Sequence, residues 1–91
     1  MSKDEVKAEI TKGEWSESFL QMLLRLAESL GEPVSVGELS TIVHPLKFSA
    51  MTMISVNRIL ETRKIPVRLE AIEEKPNLLW FDLKIKMVLL T

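Results

Sequence analysis

Few side chains in this chain could do covalent chemistry. His44 is its one imidazole, and the sequence contains no Cys and no Tyr. A nucleophile needs an oriented base beside it, and a histidine at a helix end more often satisfies terminal carbonyls. Glu73 and Glu74 make an adjacent carboxylate pair, but neighbours on a strand point to opposite faces, so they read as solvated charges. A metal site needs several convergent ligands, and one His among scattered acids supplies no such spacing. No Gly-rich phosphate loop is present. The expectation is a protein that is not an enzyme and holds neither cofactor nor metal.

Charge carries more information. Across 91 residues, 12 Lys and Arg face 13 Asp and Glu, a net charge of −1. The distribution is uneven. Residues 1–43 hold four cations against eight acids (−4), residues 44–69 five against one (+4), and residues 70–91 three against four (−1). A basic segment can attract phosphate, though salt confines its reach to about 10 Å.

The elements that must position these charges follow from periodicity. Trp15, Phe19, Met22, Leu23, Leu26 and Leu30 recur at spacings of three and four, which predicts a helix from Glu14 to Leu30. Gly31 and Pro33 stop it, and Leu24 falls nearly opposite the stripe. Ser35 and Glu38 have the spacing of a capping box, with Val34 placed to staple onto Leu39, so a second helix starts near Val36 and ends before Pro45. Ser49, preceded by Phe48, repeats the device and predicts a third helix reaching about Lys64. At about 100° per residue its Met53, Val56 and Leu60 share one side, while Met51, Ser55, Arg58 and Thr62 fall opposite, near Ile54.

Beyond Pro66 the period changes to two. Val67, Leu69 and Ala71 alternate with charged residues, and so do Leu79, Phe81, Leu83, Ile85 and Met87, with Trp80 on the outer face. Pro76 and Asn77 sit in favoured turn positions, so the runs read as an antiparallel hairpin. Residues 1–13 lack a strong cap. They admit an arm, a short strand or a frayed helix, and are counted as an N-terminal arm ahead of one domain over residues 14–91.

The composition is ordinary for a globular protein, 46% apolar and 27% charged, which excludes disordered and fibrous classes. No apolar run approaches the roughly 20 residues needed to span a bilayer. The charged start, Met1-Ser2-Lys3-Asp4-Glu5, carries no secretory signal. A cytoplasmic location and no membrane contact are expected.

Three helices, the step Pro33-Val34-Ser35-Val36-Gly37-Glu38-Leu39 into the second of them, and a closing hairpin resemble the winged helix-turn-helix superfamily over about residues 14–86. Ser40 replaces the alanine usual after Glu-Leu, and the His44–Lys47 link is longer than a tight turn. The resemblance implies a small α+β domain in which Val34–Val36 forms a short strand against the wing. Helix 48–64 would be the recognition helix and residues 72–79 the wing tip.

For members that bind double-stranded DNA, it places Ser49, Thr52, Ser55 and Arg58 toward bases and Lys47, Arg63 and Lys75 toward phosphates. A transcriptional regulator is the first expectation. A protein-interaction or scaffolding module is the alternative, with Leu24, Met51, Ile54 and Trp80 as interface residues. A homodimer built from the termini and the first helix is expected too.

Overall fold

The structure, a computed structural model, describes residues 1–72 and 79–90. Four α-helices occur among them: α1 (Lys3–Thr11), α2 (Glu17–Glu28), α3 (Val36–Val43) and α4 (Ala50–Thr62). Three strands complete the α+β fold: β1 (Val34–Ser35), β2 (Val67–Ile72) and β3 (Lys84–Leu89). They form an antiparallel sheet in the order β1–β3–β2.

The helix count corrects the expectation of three helices. The stretch counted as an arm is α1, and its physical basis is a capping box at the very start of the chain. Ser2 Oγ accepts from the Glu5 backbone N–H at 3.3 Å, and the Glu5 carboxylate accepts from the Ser2 backbone N–H at 3.4 Å. Val6 and Ile10, four residues apart on one face, are fully buried, so α1 is docked on the core. Lys3 and Lys7 both reach Glu28 on α2 and tie the two helices at the surface.

Helix α2 starts at Glu17, three residues later than expected, because the cap is Ser16, whose hydroxyl accepts from Phe19 N–H. Trp15 therefore precedes the helix, and its indole N–H donates to the Ile10 carbonyl at 3.0 Å. Met22, Leu23, Leu26 and Ala27 carry the stripe into the core. The chain then leaves α2 through Gly31, whose φ of +83° suits a residue without Cβ, and whose N–H donates to Met87 of β3 at 2.8 Å.

Ser35 caps α3 as expected, accepting from Glu38 N–H at 3.1 Å. The box is only half made, however. The Glu38 carboxylate turns to Arg25 Nε of α2 at 2.6 Å, so it links two helices instead of returning to the cap.

The hairpin is also partly revised. Residues Trp80–Asp82 form a 3₁₀ turn, and the strand begins only at Lys84. Tertiary contact overrides alternation here. Trp80 stacks on Phe48 with ring centroids 6.0 Å apart, and its indole N–H donates to the Phe48 carbonyl at 2.8 Å. In β3, Ile85 and Met87 point into the core, opposite Ala71 and Leu69 of β2.

Candidate interface on helix α4

Helix α4 opens on a complete capping box. Ser49 Oγ accepts from Thr52 N–H, and Thr52 Oγ1 accepts from Ser49 N–H, each at 3.2 Å. Thr52 Oγ1 also donates to the Lys47 carbonyl at 3.1 Å. Both hydroxyls are thus engaged in building the helix terminus.

The far end closes in a Schellman arrangement. Lys64 N–H donates to Glu61 and Ile65 N–H to Leu60, each at 3.0 Å. Lys64 occupies the left-handed position with φ 59°, which glycine fills more often, and Ile65 and Leu60 are buried beneath it.

Between its ends α4 buries only a narrow stripe. Val56 and Leu60 are buried, with Met53 half-buried against the core. A polar clamp supplements this thin apolar attachment. Asn57 Nδ2 donates to the Leu69 carbonyl at 2.9 Å, and its Oδ1 accepts from Leu69 N–H at 2.7 Å. The carboxamide thereby takes both backbone groups of Leu69 on edge strand β2. Sequence reading missed Asn57. The available signal was an Asn on the buried side of an otherwise apolar stripe.

The opposite side is exposed. At about 100° per residue, Met51, Ser55, Arg58 and Thr62 form a crest roughly 16 Å long, and all four are exposed. Clefts flank the crest on both sides. On one, Thr52, Ser55, Val56 and Ile59 face Trp15 and Phe19 across about 250 Å³. On the other, Ile54, Arg58 and Glu61 face Val67, Arg68 and Leu90 across about 560 Å³. Helix α4 is therefore a ridge.

The expected site residues separate on this frame. Ser55 and Arg58 stand on the crest, and Arg58 makes no hydrogen bond or ion pair among the described residues. Lys47 is exposed just before the cap. Ser49 and Thr52 lie beside it but serve the cap. Arg63 turns away. Its guanidinium lies 5.0 Å from the Trp15 ring centroid and donates to the Glu14 carbonyl at 3.2 Å, in a space that a Cβ on Gly13 would obstruct. Lys75, with the neighbouring Glu73 and Glu74, lies outside the described residues.

Of the expected interface residues, Met51 is 70% and Ile54 48% exposed. Leu24 and Trp80 are instead partly buried against the core. Of the apolar residues expected to join copies of the chain, Leu89 and Leu90 remain exposed.

Electrostatics divides the surface the same way. The four cations of residues 1–43 are all in ion pairs: Lys3 and Lys7 with Glu28, Lys12 with Glu9, and Arg25 with Glu38. Lys47, Arg58 and Lys64 have no such acid partner among the described residues, and Arg68 is 3.8 Å from Glu70. Among the described residues the +4 of the basic segment thus stays largely without acid partners around α4.

His44 is exposed, and no cluster of three or more metal-ligating side chains forms among the described residues. Among those residues, too, no helix is long and apolar enough to cross a membrane. Comparison with known protein families, curated proteins and solved structures gives no match.

Proposed function

We propose that the chain is a winged-helix-type DNA-binding protein, a transcriptional regulator that inserts α4 into the major groove. The observation that carries this reading is the pairing asymmetry of its cations. Those of the N-terminal half are neutralised within the fold, whereas Lys47, Arg58 and Lys64 around α4 have no acid partner among the described residues. Unpaired cations beside a protruding helix suit a polyanion, because phosphate contacts release counterions. The element order α2–β1–α3–α4–β2–β3, with β1 paired to β3, supports the winged-helix assignment.

Anisotropy of a labelled random-sequence duplex at two ionic strengths tests the proposal. Affinity is expected to fall steeply with salt, and Arg58→Ala to cost about 1–3 kcal/mol on a selected sequence. Absence of binding at low salt refutes the reading.

The apolar crest favours a second reading. Met51 at 70% exposure and Ile54 at 48% suit a protein interface, where Met and Arg are enriched. On that reading Met51→Asp abolishes capture of the partner while leaving helicity intact.

A further inference from the structure

The wider cleft beside α4 brings exposed apolar and basic side chains to one place. Its apolar lining is Ile54, Val67 and Leu90, of which Ile54 and Leu90 are 48% and 50% exposed. Its charged lining is Arg58, Arg68 and Glu61, two guanidinium groups against one carboxylate. Arg58 is without an ion-pair partner among the described residues, and Arg68 lies 3.8 Å from Glu70, both members of that pair being about half exposed. The volume, about 560 Å³, lies within the range of clefts that accept a ligand or a few side chains.

We infer that this cleft docks an acidic peptide segment with a large apolar side chain close to its carboxylate. Carboxylates match guanidinium groups by paired, charge-assisted hydrogen bonds. An apolar side chain next to them would cover Ile54 and Leu90, which otherwise meet water. A nucleic-acid backbone brings the charge but no apolar group for that surface, so the complementarity selects a peptide. The inference goes beyond the nucleic-acid reading and assigns a second partner to the flank of α4. Arg58 belongs to both surfaces. Arg68 belongs to the cleft alone and is the diagnostic residue.

The experiment is an anisotropy titration of the intact chain with three fluorescein-labelled peptides: one of Asp, Glu and Leu, one with Ser in place of Leu, and one with Lys in place of the acids. The random-sequence duplex is run beside them. The expected result is saturable binding of the acidic Leu peptide, with the other two peptides weaker by about tenfold or more. Arg68→Ala and Leu90→Ser should each weaken it by about tenfold, with circular dichroism and urea midpoints confirming that the variants fold. Duplex affinity should be unchanged in Arg68→Ala, because Arg68 is not among the residues placed on DNA. Equal binding of the Ser peptide, undiminished binding in both variants, or binding of the duplex without the peptide overturns the inference. That last outcome leaves the nucleic-acid reading standing, and the reverse outcome leaves only the inference.

Discussion

Replacing Asn57 with Leu tests how α4 is held. The side chain is half-buried, and its carboxamide accepts from Leu69 N–H and donates to Leu69 C=O. Leu keeps the volume and helix propensity but removes both bonds. Each such bond contributes about 0.5–1.5 kcal/mol net, and backbone groups stranded without a partner cost about 1–3 kcal/mol when fully buried. Because β2 is an edge strand, water recovers part of that cost, so the expected loss is about 2–3 kcal/mol.

That equals the burial of one of the two apolar anchors, Val56 or Leu60, at about 1.5–3 kcal/mol each. For a domain of this size it lowers Tm by roughly 8–24 °C. Urea unfolding followed by circular dichroism should show a lower midpoint with an unchanged slope. Asn57→Asp keeps the acceptor for Leu69 N–H but sets an oxygen against the Leu69 carbonyl. It should destabilise at neutral pH and recover partly in acid, when the carboxyl can donate. A loss below about 0.5 kcal/mol for Asn57→Leu, the level of an ordinary surface change, would refute the reasoning.

Other perturbations follow from the same geometry. Ser35→Ala should cost about 0.5–2 kcal/mol in urea unfolding, because it removes the acceptor for Glu38 N–H at the start of α3. Lys64→Gly should leave stability unchanged or raise it by up to about 1 kcal/mol, since glycine relieves the left-handed strain but adds unfolded-state entropy; Lys64→Val should lower it. Lys7 and then Lys3 hold the Glu28 carboxyl below the usual carboxylate range through hydrogen bonds. A lowered folded-state value stabilises above the unfolded-state pKa and ceases to do so as pH falls through the folded-state one. Urea midpoints should therefore drop on acidification through that window, and Glu28→Gln should remove this part of the dependence.

Much of the fold was legible because local signals and tertiary packing agree. Ser35 and Ser49 stand before apolar periodicity, and both cap the helices they announce. The phase of α4 was readable for the same reason: Val56 and Leu60 repeat at the spacing that hides them and turns Arg58 outward. Errors arise where the two levels part. Val6, Ala8 and Ile10 admit an arm, a short strand or a frayed helix and are counted as an arm, whereas Val6 and Ile10 are the buried face of a helix capped by Ser2. Leu79 to Leu83 alternate well enough for a strand, yet the Trp80 indole finds Phe48, 32 residues away, and the chain bends into a 3₁₀ turn. Arg63 was unreadable as a contact because its partners, Trp15 and Glu14, lie almost fifty positions earlier. No local pattern encodes a pairing of that separation.

The site shows the same division in electrostatic form. Segment charges of −4 and +4 count residues without saying which are neutralised, and the fold supplies that information. Lys3, Lys7, Lys12 and Arg25 act within the N-terminal half, where their acids are close. Around α4, Glu61 is the single acid of residues 44–69, and among the described residues Arg68 pairs with Glu70 at 3.8 Å while Lys47, Arg58 and Lys64 pair with no acid. Holding α4 by Asn57 through an uncharged carboxamide adds no carboxylate to that surface. An ion pair in its place would have consumed a cation. The neutral clamp on one backbone position keeps the helix seated while leaving Ser55, Arg58 and Met51 to whatever fills the space around the ridge.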